Sequence, residues 1–224
     1  MKVYDLKGAS LTDFTAFLFD RPAPPLEPAV RTPRWLGEDG AIQFDPELNA
    51  KLFIELFSNS GSLREYFTAE QLEQGFLAIQ CAVFPASLPE LIWSSDISIS
   101  LKSDLIYSMY KLFKDFFSYD DLVTTSCTMF FSNWVTIHGC KSVSSPSLEE
   151  AIIHNQLFST LSLILSLESE ACQGAALLGL CELRHPLTSE LINLYLRAHP
   201  EFSEDEVEEV ECIFEPGPRP YYGI

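Results

Sequence analysis

Residues 171–186 read ACQGAALLGLCELRHP, and the fold turns on how that stretch is understood. Cys181 and His185 stand four apart, one helical turn, so the run reads either as half of a metal or thiol site or as the inside of a helical protein. Zinc needs two further ligands in tetrahedral geometry, and no second Cys/His pair with ligand spacing occurs. Ala171, Ala175 and Gly179 recur every fourth residue, with Cys172 and Ala176 beside them. Small residues along one ridge let another helix approach closely, which offsets the roughly 1 kcal/mol that each interior glycine costs. The spacing therefore predicts a tightly packed helix over 169–184, lying against the helix that precedes it. His185, ahead of Pro186, is placed to meet the negative end of that helix.

The preceding helix is predicted from Ser147 to Leu167. Ser147 and Glu150 have capping-box spacing, in which each side chain satisfies the other's free backbone N–H. The run is apolar nearly all round, its polar positions mostly serine, so it is expected to be enclosed on most sides. Further helices are expected at Thr188–His199 and Ser203–Phe214. Upstream, apolar spacing marks helices over about 46–58, from Thr68 with its capping partner Gln71, over 100–118, and over Asp120–His138; LPELIWSS adds a short turn.

The first 46 residues read differently. RPAPPLEPAVRTP (Arg21–Pro33) holds five prolines, which forbids regular helix and favours extended backbone. KVYDL and AIQFD read as short strands, with Trp35 and Phe44 pinning an N-terminal arm to the body. The organisation expected is a Pro-rich extended arm over 1–46 and a helical domain over 47–224.

The helix pairs over 147–214, with a small-residue inner helix ending in RHP, resemble the HEAT-like helical repeats of bacterial proteins. The resemblance implies stacked antiparallel hairpins forming a curved scaffold that binds other proteins. The fold class is thus all-α, an irregular HEAT-like superhelix or bundle of about eight helices.

Composition narrows function further. The chain of 224 residues carries 14 basic and 32 acidic side chains, a net −18. Residues 1–46 contribute −2 and the remainder −16. Such a field repels phosphate backbones and anionic lipid and speeds encounter with a basic partner. No Lys or Arg occurs between Ser142 and Leu183, which disfavours a nucleic-acid surface. No apolar run is long enough for a bilayer span, and Lys2, Asp5 and Lys7 are unlike a secretory leader. With six scattered cysteines and no C-x-x-C, these features predict a cytoplasmic protein of reduced thiols.

Catalytic signatures are missing: no H-E-x-x-H, no G-x-S-x-G and no phosphate-binding glycine loop. Cysteines in apolar helices read as small core residues whose pKa burial would raise. No cofactor is implied. The segment SEDEVEEVECIFE (203–215) is the strongest electrostatic feature, and Glu204, Asp205, Glu208, Glu209 and Glu211 are the candidate contacts for a basic protein partner. The leading expectation is a non-enzymatic interaction protein, in its sharpest form an immunity-type inhibitor of a cationic toxin. A second is an enzyme or small-ligand binder with a site assembled from His138, Cys140, Glu150 or His154, or a pocket lined by Trp93, Tyr107, Tyr110 or Trp134. A third is a structural subunit of a larger assembly.

Overall fold

A computed structural model describes residues 2–23, 40–81, 86–131, 147–205, 207 and 210. The chain is all-α, with one two-stranded exception near the start. KVYDL and AIQFD form the two short strands expected: β1 (Lys2–Asp5) pairs in parallel with β2 (Gly40–Gln43), Lys2 opposite Gly40 and Asp5 opposite Gln43.

Between the strands the chain departs from an extended arm. Helix α1 (Leu11–Phe19) opens on a capping box in which the Ser10 hydroxyl and the Asp13 carboxylate satisfy each other's backbone N–H. It buries Phe14, Leu18 and Phe19 completely. Four apolar residues within six positions outweigh the proline signal that follows them, because burial of each aromatic side chain is worth roughly 2–3 kcal/mol. Trp35 lies outside the described residues; Phe44 packs on the core as expected.

The caps legible in the sequence set the next boundaries. Asp45 accepts from Leu48 N–H at 2.8 Å and Pro46 takes the first position of α2 (Pro46–Ser58), where its missing N–H costs nothing. Thr68 and Gln71 open α3 (Ala69–Gln80) as a reciprocal box. Helix α4 (Leu88–Trp93) is the short turn expected of LPELIW, and Ser98 caps α5 (Ile99–Asp115). Ser147 and Glu150 box the start of α7 (Leu148–Leu165), Ser169 caps α8 (Glu170–Leu183), and α9 covers Thr188–Ala198.

The expected single helix over Asp120–His138 does not form. A 3-10 turn (Phe117–Tyr119) leads to Asp120, whose carboxylate accepts from Leu122 and Val123 N–H and folds the backbone into a bend. Among the described residues of that span, only Thr124–Thr128 is helical (α6), followed by a turn over 129–131. An aspartate that bonds its own backbone two and three residues on competes directly with helix formation. Residues 132–146 lie outside the description.

Helix α5 is the axis of the molecule, with α2 packed on one side and α7 on another; α7 then packs on α8, and α8 on α6. Rings join these elements in a continuous chain: Phe14–Phe53 at 4.9 Å, Phe53–Phe57 at 5.7 Å, Phe57–Phe130 at 6.5 Å and Phe130–Phe113 at 5.3 Å. Edge-on and tilted pairs of this kind add to the area term.

Helix α7 is not enclosed. It buries Ile153, Leu157, Leu161 and Ile164, while Leu148, Ile152 and Leu163 face outward at 80%, 37% and 38% exposure. Its serines explain the misleading pattern. Ser159, Ser162 and Ser166 donate to the carbonyls of Asn155, Phe158 and Leu163 in the preceding turn, so they satisfy themselves within the helix without marking one wet face. Among the described residues, no helix is long and apolar enough to cross a membrane.

Candidate functional site: an acidic surface and a buried thiol pair

The stretch 171–186 resolves as packing. A Cβ placed on Gly179 would stand 2.6 Å from Leu161 Cδ2 and 3.0 Å from Phe131 Cβ, so α8 meets α7 and the turn after α6 at a distance only glycine permits. Gly174 meets nothing within 4 Å, and Ala171 is exposed, so the close ridge is shorter than the sequence spacing suggests. The helix ends on Arg184 in the left-handed region (φ 50°). His185 then folds back: its Nδ1 accepts from Leu187 N–H at 3.2 Å, which leaves the proton on Nε2 to be donated to Asn155 Oδ1 at 2.9 Å. Its ring stacks on Phe158 at 4.2 Å. Burial first, and the neighbouring His154 second, hold His185 below the usual imidazole range. Both ring nitrogens are thus occupied, Nδ1 within the loop after α8 and Nε2 in tying that loop to α7. Among the described residues, no group of three His, Cys, Asp or Glu side chains could hold a metal ion.

Of the residues considered for a small-ligand site, Glu150 is taken up by its capping box. His154 is half-buried with its ring 6.1 Å from Trp93; burial lowers its pKa against the attraction of Glu150. Tyr107 is exposed, 6.0 Å from the Tyr110 ring. His138, Cys140 and Trp134 lie outside the described residues. In a cleft lined by Asp20–Ala23, Thr68, Glu70 and Gln71, two of the polar side chains are engaged internally. Gln71 accepts from Thr68 N–H and donates to Arg21 O, while Arg21 donates to Phe17 O and Tyr4 Oη and lies over both of their rings.

Two acids of the candidate docking segment, Glu204 and Asp205, are exposed. Glu208, Glu209 and Glu211 lie outside the description. The surface around the described pair extends the same sign: Glu168, Glu170, Glu190 and Glu201 are exposed, and only Arg184 and Arg197 supply fixed positive charge over 147–205. Lys102 on α5 is almost wholly buried and pairs with Glu149 in the first turn of α7.

Sequence reasoning missed a buried polar clamp beside α6. Glu73 Oε1 accepts from Ser126 N–H at 2.9 Å, Glu73 Oε2 from Ser126 Oγ at 2.8 Å, and Gln80 Nε2 donates to Ser126 O at 2.9 Å. The three bonds tie α3 to α6. Burial pushes the Glu73 carboxyl up, and the Ser126 bonds only partly offset this. The folded chain therefore holds that proton more tightly than the unfolded chain. The resulting stability is fully present below the unfolded pKa and is lost as pH rises through the folded one. Glu73→Gln keeps one of the two acceptor oxygens and removes the charge, so urea unfolding across pH 4–8 is expected to show the wild type losing stability relative to the variant as pH rises. A difference that moves the other way would contradict the buried-carboxyl account.

Next to this clamp sits a second missed feature. Cys127 on α6 and Cys172 on α8 are both buried where these two helices pack together. Cys172 Sγ donates to Phe113 O at 3.9 Å, Ser118 Oγ lies 3.6 Å from the same sulfur, and Ser169 caps the helix turn that carries it. The neighbouring Cys127 thiol, opposed by burial but aided by Ser169 and Ser118, pulls the Cys172 thiol below its ordinary value. Cys172 in turn, with burial and the charges of Glu73 and Asp120, pushes Cys127 well above it. The expectation that burial would raise the cysteines holds for Cys127 and fails for Cys172, whose place in the first turn of α8 gives it donors that no local pattern announces. No family model matches the chain, and neither a curated protein nor a solved structure does.

Proposed function

We propose that the chain is a cytoplasmic, non-catalytic interaction protein that captures a basic protein partner through its acidic C-terminal surface, in the manner of an immunity-type inhibitor of a cationic toxin. What carries the reading is charge placement: the net −18 is concentrated after residue 46, and over 147–205 exposed carboxylates face few bases. A surface of one sign steers an oppositely charged partner and accelerates its capture. The paired helices α7 and α8 supply a firm scaffold for it, and in this reading they are hairpins of the HEAT-like kind.

Immobilised protein would be challenged with native cell lysate in about 0.05 M salt and eluted in about 0.5 M, where the Debye length is only a few ångströms. A discrete basic protein is expected in the eluate. Its purified association rate should fall at least about tenfold across that salt range, and Glu204→Lys/Asp205→Lys should slow it further. A partner whose association ignores both salt and charge reversal would refute the electrostatic reading.

A further inference from the structure

Helix α9 begins without a cap of its own. Leu187 stands at its cap position and has no side-chain acceptor, so the turn before it must supply the bonds. His185 supplies two of them: its carbonyl accepts from Thr188 N–H at 2.9 Å, and its Nδ1 accepts from Leu187 N–H at 3.2 Å. The rest of the ring is held from α7, where Asn155 Oδ1 takes the Nε2 proton at 2.9 Å and Phe158 stacks on the imidazole. A ring nitrogen that accepts from a backbone N–H carries no proton, so this geometry admits only the neutral imidazole. Elsewhere α9 is seated through few groups. Thr188, Ile192 and Tyr195 are its buried side chains, and Tyr195 Oη donates to Gln173 Oε1 of α8 at 2.8 Å.

We propose that His185 is a pH-sensitive latch on α9: its neutral imidazole caps the first turn, and protonation at Nδ1 frees residues 184–187 and loosens the helix. The proton comes from solvent and turns an acceptor into a donor that faces the Leu187 N–H. Nε2 donates in both forms, so the bond to Asn155 and the stack on Phe158 survive and the loss falls on α9 alone. Charges reach the ring from three helices. From α7, His154 opposes a positive His185, while Glu150, one turn earlier, attracts His154. Helix α8 brings Glu182 and Arg184, and α9 brings Glu190 in its first turn. The negative end of α8 favours a charged ring and the positive end of α9 disfavours it, so the two fields oppose each other and the broken bond decides the direction. The latched chain binds this proton less readily than the open one. The latch is therefore at full strength above the ordinary imidazole value of about 6.5 and weakens as pH falls below it. Exposed Glu201, Glu204 and Asp205 follow α9, so acid loosens the element that carries them. The latch stands whether or not that surface captures a partner.

The test follows amide hydrogen exchange of the full chain by mass spectrometry at about pH 7.5 and about pH 5, with rates referred to those of unstructured peptide at each pH. Peptides covering 188–198 should lose protection about fivefold at the lower pH, while those of α5 keep theirs. His185→Asn retains an acceptor for the Leu187 N–H that does not titrate, so α9 of this variant should exchange alike at both pH values. His185→Ala has no acceptor and should match the acidic wild type at both. His199, at the far end of α9, bonds Glu201 Oε1 at 2.8 Å. A pH response arising there would persist in His185→Asn, and such persistence overturns the latch. Nitrogen NMR of the wild-type ring at about pH 7.5 needs no variant. A proton on Nε2 and none on Nδ1 is expected; a proton on Nδ1, or an α9 whose protection ignores pH, overturns the proposal.

Discussion

Replacing Phe113 by alanine is expected to lower the unfolding free energy by about 3–5 kcal/mol, the cost of truncating a fully buried aromatic and leaving its volume empty. The ring sits where the aromatic chain branches, 5.0 Å from Phe117, 5.3 Å from Phe130 and 5.5 Å from Phe131. Phe131 in turn fills the space over Gly179, so the vacancy opens at the junction of α5, the turn after α6, and α8. Three elements lose a shared wall at once, and partial collapse of any one is blocked by the other two. Against a total stability of roughly 5–15 kcal/mol, such a loss leaves the chain near its unfolding threshold. For a chain of this length each kcal/mol moves Tm by about 2–4 °C, so a fall of order 10 °C should accompany it. Phe113→Leu, which keeps most of the volume, should cost only about 1–2 kcal/mol. An alanine variant within 1 kcal/mol of wild type in urea unfolding would show that the rings do not form one packed unit.

Gly75→Ala should also destabilise, against the helix propensity that favours it by about 1 kcal/mol. Gly75 lies inside α3 where α1 crosses, and a methyl group there would collide with the Phe19 ring and stand 2.9 Å from the Leu18 carbonyl oxygen. The ring is fixed by Phe76 at 5.1 Å and Phe67 at 5.5 Å, so it has no free rotamer to retreat into. Overpacking of this kind costs about 1–3 kcal/mol, and here backbone must move as well, which places the net loss near 2 kcal/mol. Gly174→Ala supplies the control. It occupies a helix interior with nothing within 4 Å, so the same substitution should stabilise by up to about 1 kcal/mol. The double variant Gly75→Ala/Phe19→Leu should recover part of the loss, because neighbouring sites in contact are not additive. Equal effects at the two glycines would mean that α1 does not seat on α3 as described.

These two sites also mark where the sequence is and is not readable. Helix starts were legible wherever the signal is local. The Thr68/Gln71 and Ser147/Glu150 boxes place α3 and α7 within a residue, because both partners of the bond lie in one turn. The small residue at Gly179 and its partner helix were legible for a related reason: the neighbour follows directly in the chain. Gly75 was not, since the group that demands glycine, Leu18–Phe19, comes more than fifty residues earlier. The α6 region failed for a similar cause. Its apolar spacing suits a helix, but Asp120 bonds the backbone of its own loop two and three residues on, and Glu73 reaches across from α3 to hold Ser126. Among site residues, the exposure of Glu204 and Asp205 follows from composition alone. The opposite behaviour of Cys127 and Cys172 does not, because it depends on Ser118 and on which sulfur happens to begin a helix.

The central position of α5 bears on how the molecule comes into being. Its two flanks are covered by α2, made earlier, and by α7, made more than thirty residues later. A nascent chain emerging from the ribosome therefore holds α5 against α2 with its other flank bare, and Lys102 on that helix waits in water for Glu149. Only when α7 arrives does that ammonium lose its hydration, so its docking joins an apolar surface and a charge in a single closure.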